Sequence, residues 1–100
     1  MRIIALSTLK AFLDKSPRYR DAKEPVLAWY QQVRKADWAV PRDVKADFGN
    51  ASILKDGRVV FNIAGNKYRL VVWINYEYRI VYIRFIGTHT QYDGVDAQSV

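Results

Sequence analysis

Two long runs of strand-forming residues in the second half of the chain constrain its fold more than any other feature. The runs cover residues 67–75 and 78–86, with Tyr76 and Glu77 between them. Both are rich in β-branched and aromatic residues and alternate with a period of two, which is typical of paired β-strands. The short separation between them indicates an antiparallel pair.

Two turn signals extend this pair into a longer sheet. Asp56-Gly57 stands between two apolar runs, and both residues suit the positive φ angles of a type I′ hairpin turn. Gly65-Asn66 marks the next reversal, where we expect one of the two residues to be left-handed. Backbone amides in such a glycine turn can also bind an anion. The sequence therefore predicts an antiparallel meander from about residue 52 onward.

The first part of the chain carries helical periodicity instead. A short apolar run at residues 2–5 predicts a first strand, and Ser7 then offers a helix N-cap. Leu9, Phe12 and Leu13 fall on one face of the helix that follows. Pro17 ends this helix near residue 15, because the residue before a proline disfavours helical geometry.

A second helical pattern runs from about residue 20 to residue 35. It contains Pro25, which is tolerated only in a first turn, so the helix either starts late or is kinked. Pro41 is placed to open a short third helix. One hundred residues provide one hydrophobic core. We therefore predict a single domain over residues 1–100 of the α+β class, with an N-terminal helical hairpin on one face of a small antiparallel β-sheet.

Strand alternation separates two faces of the predicted sheet. We expect one face to be apolar and to pack on the helices, with Tyr68, Leu70, Val72, Ile74, Val81, Ile83 and Phe85. The opposite face mixes cations with aromatic residues, with Lys67, Arg69, Val71, Trp73, Tyr78, Ile80, Tyr82 and Arg84. This second face is the side on which we expect a ligand.

Composition excludes several functions. The chain has no cysteine and one histidine, which rules out disulfide scaffolds, thiolate metal sites and multi-histidine metal sites, and we predict no metal and no cofactor. A formal charge of +6 favours a polyanionic partner. The apolar run at residues 70–74 is too short to span a bilayer, and residues 1–6 are too short for a signal-peptide core. We therefore expect a cytoplasmic protein without membrane association.

Cations on the second face suit RNA. Five of them (Arg58, Lys67, Arg69, Arg79 and Arg84) accompany one anion, Glu77, between residues 58 and 84. Cations on strands can hold phosphates, and nearby aromatic rings can stack bases of single-stranded RNA. The alternative is a solvated sheet face whose arginine stems cover apolar surface.

The residues after the last strand add groups that transfer protons. His89, Tyr92 and Asp93 follow one another closely at the strand exit. Histidine titrates near neutral pH and can pass a proton to or from a hydroxyl or a leaving oxygen. The alternative is structural: His89 serves the fold, and Tyr92 caps the hydrophobic core.

The order of several motifs resembles the HigB family of toxins, within the wider RelE/ParE superfamily. The resemblance covers essentially the whole chain and is carried most specifically by Phe-Asn-x-x-Gly-Asn-x-x-Arg at residues 61–69 and Thr-His-x-x-Tyr-Asp at residues 88–93. It implies a RelE-like fold, cleavage of messenger RNA (commonly on the ribosome) and neutralisation by a HigA-like antitoxin with a helix-turn-helix domain.

The resemblance also implies roles for individual residues. It places Asn66, Lys67 and Arg69 in a positive cleft, Arg84 on the neighbouring strand, and three further residues in the C-terminal motif: His89, Tyr92 and Asp93. We expect Arg69, Arg84, His89 and Tyr92 to be catalytic, and RNA to be bound by Asn66, Lys67, Arg58 and Asp93. The lysine and arginine pattern on the C-terminal strand of RelE is not reproduced here.

The expected reaction is metal-independent cleavage of RNA by attack of a 2′-hydroxyl on the adjacent phosphate. The alternative function is a non-catalytic basic toxin or binding module, which inhibits gyrase or binds RNA. We further expect an antitoxin with an acidic contact surface. It would cover either the Arg69/His89 face or the helical front, where we expect that not all of Leu9, Phe12, Trp29 and Tyr30 are buried.

Overall fold

A computed structural model describes residues 1–100 and contains one five-stranded sheet in the order β1-β5-β4-β3-β2. The strands are β1 (Arg2–Ile4), β2 (Ser52–Ile53), β3 (Arg58–Ile63), β4 (Tyr68–Asn75) and β5 (Ile80–Thr88). Strands β2 to β5 form the predicted antiparallel meander. Strand β1 pairs in parallel with β5, so the sheet is mixed. Residues 5–79, which contain the first three helices and strands β2 to β4, form the long connection that a parallel pair needs.

Both turns contain left-handed residues. Asp56 and Gly57 have φ angles of 55° and 80°, which confirms the predicted hairpin turn. A Cβ atom on Gly57 would lie 2.6 Å from the main-chain oxygen of Ile74, so this position also needs glycine for space. In the β3–β4 turn the left-handed residues are Ala64 and Gly65, with φ angles of 55° and 68°. Of the two residues expected there, Gly65 is therefore the left-handed one.

The helices are α1 (Leu6–Lys15), α2 (Lys23–Lys35), α3 (Pro41–Asp47) and α4 (His89–Asp93), with a 3₁₀ helix at Pro17–Ala22. The N-cap prediction for Ser7 is wrong. Ala5, with a φ angle of 73°, turns the chain directly from β1 into α1 and leaves Ser7 inside the helix. Pro25 lies in the first turn of α2, because the 3₁₀ helix occupies the residues before it. Pro41 is the first residue of α3, as predicted.

The main core lies between the sheet and the N-terminal helices. Trp29 of α2 packs edge-on against Phe61 of β3 at a ring separation of 5.4 Å, and Trp38 stacks on Phe61 at 6.2 Å. Leu9, Phe12 and Trp29 are buried, and Tyr30 is half-buried. The expectation that these four residues are not all buried is met by Tyr30 alone, because the other three cover the apolar face of the sheet.

A β-bulge changes the faces of the last strand. Val71 pairs with Phe85 and Val72 with Ile83, so Arg84 is the additional residue on β5. Ile83 faces the main core as predicted, but Phe85 faces the opposite side, where it packs against a small cluster that contains Val71. The assignment of Phe85 to the helical face is therefore wrong.

The second face of the sheet, which we call the outer face, is partly covered by the segment at residues 94–100. Ala97 is buried there with Val60 and Val71. The side chain of Gln98 both accepts from the main-chain nitrogen of Lys55 (3.0 Å) and donates to its main-chain oxygen (2.6 Å). This cover leaves one end of the outer face open to solvent. None of the helices has the length and apolar character that a membrane crossing requires.

Candidate nucleic-acid interface

Four polar residues line a solvent-open cavity of about 450 Å³ at the open end of the outer face. The β3–β4 turn provides Asn66 and Lys67, β4 provides Arg69, and the start of α4 provides His89. No hydrophobic side chain lines this cavity, which we call the cleft. Two cations, an amide and an imidazole are groups that bind a phosphodiester and transfer a proton.

The Arg69 guanidinium is oriented by the turn beside it. Its Nη1 donates to the main-chain oxygen of Asn66 at 2.9 Å and to that of Tyr68 at 3.3 Å. In the sheet Arg69 pairs with Asn62 on one side and Gly87 on the other. A Cβ atom at Gly87 would lie 2.6 Å from the Phe85 ring, so the strand beside Arg69 packs as closely as a glycine permits. Arg69 is thus held on rigid backbone at the cleft.

His89 is positioned by helix capping. Thr88 caps α4: its hydroxyl accepts from the main-chain nitrogen of Gln91 (3.1 Å), and the Gln91 side chain accepts from the main-chain nitrogen of Thr88 (2.9 Å). The main-chain nitrogen of His89 donates to the main-chain oxygen of Lys67 at 3.1 Å. Its backbone is therefore fixed beside the β3–β4 turn while its side chain stays exposed.

Lys67 is tied to the helical part of the chain by Asp21. The Lys67 Nζ and an Asp21 carboxylate oxygen are 2.6 Å apart, and the Tyr68 hydroxyl donates to the other oxygen. These two hydrogen bonds hold the pKa of Asp21 below its ordinary value. Burial and the Asp21 carboxylate raise the pKa of Tyr68 to about 12. Sequence reasoning missed Asp21, because it lies 46 residues from Lys67 and no local pattern marks it.

The other predicted site residues lie outside the cleft. Arg58 Nη1 and Arg84 Nε both donate to the main-chain oxygen of Val100, the latter at 3.2 Å. Tyr92 is half-buried and packs against the Val60, Val71 and Ala97 cluster. Asp93 is exposed at the end of α4. The structure therefore gathers four of the eight predicted residues and leaves the other four beside the C-terminal segment. No group of three or more His, Asp or Glu side chains is placed to hold a metal ion.

A mixed sheet covered on one face by N-terminal helices, with a cationic cleft at one end of the other face, defines a small RelE-like domain. Comparison of the sequence with known protein families identifies the family within this class. A family described as HigB_toxin, the RelE-like toxic component of a toxin-antitoxin system, matches residues 22–95.

Individual relatives support the same assignment. The mRNA interferase toxin HigB of Escherichia coli strain K12 is 33% identical over 90 residues, which cover 88% of this chain and 86% of that protein. The mRNA interferase HigB of Escherichia coli O157:H7 gives the same values. A further mRNA interferase HigB, from Escherichia coli O6:H1, is 24% identical over 66 residues, or 64% of each chain. The chain belongs to the HigB toxin family.

Proposed function

We propose that this chain is an mRNA interferase, an endoribonuclease that cleaves messenger RNA, and that the cleft is its active site. The observation that carries the proposal is the convergence of Arg69, Lys67 and Asn66 with His89 in a cavity without hydrophobic lining. The names of the Escherichia coli relatives support the substrate class. The cationic lining supports binding of a phosphodiester, since Arg and Lys form charge-assisted hydrogen bonds with phosphate oxygens.

The proposed reaction is an attack by the RNA 2′-oxygen on the adjacent phosphorus. The new O2′–P bond forms as the P–O5′ bond breaks, which leaves a 2′,3′-cyclic phosphate and a 5′-hydroxyl. His89 accepts the 2′-hydroxyl proton, and the departing 5′-oxygen receives a proton from water. Tyr92 packs against the Val60, Val71 and Ala97 cluster outside the cleft, so we assign it no proton transfer in this reaction. Arg69 and Lys67 stabilise the negative charge that develops on the phosphoryl oxygens. This route needs no metal ion, because the cationic side chains stabilise that charge.

The remaining predicted residues extend the proposed RNA-binding surface beyond the cleft. Arg58 of β3 pairs with Trp73 of β4. Trp73 lies four residues beyond Arg69 on β4, and a strand rises about 3.3 Å per residue, so Arg58 is about 13 Å from the cleft along the strand direction. Trp73 and Tyr82 stack at 5.0 Å on the same face. We propose that Arg58, Arg84 and Asp93 contact nucleotides that flank the cleaved bond, with Asp93 accepting hydrogen bonds from ribose hydroxyls or bases.

A defined RNA tests the reaction. The full chain is incubated in EDTA with a single-stranded RNA and with the same strand carrying one 2′-deoxynucleotide at the cut position. We expect cleavage of the first, with a 2′,3′-cyclic phosphate end, and none at the substituted position of the second. Cleavage at the deoxy position, or activity that EDTA abolishes, would contradict the proposed route.

The competing function, inhibition of gyrase without catalysis, predicts a different outcome. It predicts no RNA cleavage and a loss of DNA supercoiling by purified gyrase. Transcript mapping by primer extension after induction adds a cellular readout, because an interferase shortens messenger RNA whereas a gyrase inhibitor causes DNA damage. Running both assays on one preparation separates the two functions.

Two partners complete the proposed function. We propose that cleavage takes place in the cytoplasm on ribosome-bound messenger RNA, and that a HigA-like antitoxin with an acidic contact surface neutralises the chain. The charge of +6 supports an acidic partner, because complementary charge accelerates association. The ribosome association is tested by comparing the cleavage rates of one messenger RNA when it is free and when it is bound in a stalled translation complex. Equal rates would contradict the ribosome association.

A further inference from the structure

A second cavity, larger than the cleft, lies between the first two helices. It has a volume of about 750 Å³ and is lined by residues of α1, the 3₁₀ helix and α2. Its apolar wall includes two of the most exposed large hydrophobic residues of the chain, Leu6 and Leu27, which are 42% and 48% exposed. Leu13 and Tyr30 continue this wall toward the core. We call this cavity the helical groove.

The charged residues of the helical groove are mostly cations. Lys10, Arg20 and Lys23 line it together with a single carboxylate, that of Asp14. None of the three cations has an ion-pair partner within 4 Å. An apolar trough bordered by unpaired cations fits a peptide that presents apolar side chains on one face and carboxylates beside them. A second copy of this chain is a poor occupant, because it carries the same net charge of +6.

We propose that the helical groove binds an acidic, amphipathic segment of the antitoxin. This inference rests on the proposed neutralisation by an antitoxin and assigns that partner a surface other than the cleft. The 3₁₀ helix joins the groove to the cleft. Its residues Tyr19 and Arg20 line the groove, and the next residue, Asp21, forms the ion pair with Lys67 at the cleft. The body of a partner anchored in the groove therefore lies close to the cleft, where it obstructs the approach of a ribosome that carries the messenger RNA.

The groove is tested by selection from a phage-displayed library of random 16-residue peptides on the immobilised full chain. We expect the selected peptides to carry apolar residues at helical spacing with several Asp or Glu residues. Each selected peptide is then synthesised with a fluorescent label, and its affinity is measured by anisotropy. Affinity should fall at least tenfold for Leu27→Glu and for Lys23→Glu. Both positions are exposed, so both variants should keep the wild-type circular dichroism and melting temperature.

Matched controls carry the same changes outside the groove. Val40→Glu introduces a carboxylate at another exposed apolar residue, which is 41% exposed, and Lys35→Glu reverses a charge at the end of α2. Both should bind the peptides as tightly as the wild type. Selection of neutral or basic peptides, or equal affinity for Leu27→Glu and the wild type, would overturn the proposal. A dimer in sedimentation experiments that Leu27→Glu dissociates would assign the groove to a second copy and would also overturn it.

RNA cleavage measured without peptide keeps this inference separable from the proposed function. Leu27→Glu and Lys23→Glu should cleave RNA at the wild-type rate, because neither residue lines the cleft. If the wild-type chain cleaves no RNA, the proposed function fails, and the peptide selection still decides the chemistry of the groove.

Discussion

Replacement of Arg69 by alanine tests the proposed catalytic role of this residue separately from its role in the fold. In the proposed reaction the guanidinium stabilises charge on the phosphoryl oxygens, and removal of one preorganised donor lowers a rate roughly 100- to 1000-fold, or about 2.7–4 kcal/mol. The folded state loses two hydrogen bonds to main-chain oxygens of the β3–β4 turn. Because Arg69 lies at a solvent-open cleft, we expect that loss to cost at most about 1 kcal/mol.

These magnitudes decide how a loss of activity is interpreted. A small domain has an unfolding free energy of at least about 5 kcal/mol, so a loss of 1 kcal/mol leaves about one molecule in a thousand unfolded. Unfolding therefore cannot account for a 100-fold decrease in rate. The assay is single-turnover cleavage of a labelled RNA, with a urea unfolding curve measured on the same sample.

The matched control is Arg34→Ala, an exposed arginine of α2 that is not part of the cleft. It should cleave RNA at the wild-type rate, which shows that net charge alone is not responsible. Cleavage by Arg69→Ala within threefold of the wild type, with folding unchanged, would refute the assignment of the cleft. A large loss of stability would instead identify Arg69 as a structural residue.

Three further predictions concern the cleft, the Asp21–Tyr68 contact and the first hairpin. His89→Gln should slow RNA cleavage at least 100-fold while the Kd for uncleaved 2′-deoxy substrate stays within threefold, because the change removes proton transfer but keeps a polar side chain. A histidine that serves the fold would instead show a lowered melting temperature with normal specific activity. The pKa of Tyr68 is raised from 10.0 to about 12, so the folded chain retains this proton more strongly than the unfolded chain, and the unfolding free energy should fall as pH rises from about 10 to 12. Urea unfolding at several pH values should show this fall in the wild type and a smaller one in Tyr68→Phe; equal slopes would contradict it. Gly57→Ala should lower the unfolding free energy by about 1–3 kcal/mol, because φ is 80° there and a Cβ atom would meet the Ile74 main-chain oxygen; an unchanged urea midpoint would refute this.

Local sequence signals determined most of the secondary structure. The Asp56-Gly57 turn, the first residue of α3 and the antiparallel meander follow from short-range rules, since turn conformation and strand alternation depend on neighbouring residues. The motif at residues 61–69 likewise placed Asn66 and Arg69 on a turn and the strand after it. The HigB resemblance is confirmed by the family comparison.

Tertiary structure decided the features that join distant parts of the chain. The parallel pairing of β1 with β5 joins residues about 80 positions apart, and no local pattern specifies it. The bulge at Arg84 reverses the face of Phe85, because one additional residue shifts the period of two. Sequence alternation alone had placed this residue in the main core.

The candidate site shows the same division. Residue types and their order indicated cations and a histidine, and hence phosphate chemistry, from the sequence by itself. Only the folded chain brings His89 to the turn that carries Lys67. Only the folded chain also pairs that lysine with Asp21 of the 3₁₀ helix. Only the folded chain directs Arg58 and Arg84 to the Val100 main-chain oxygen. The physical reason is that side-chain chemistry belongs to each residue, whereas the distance between two side chains depends on how the helices and the sheet pack.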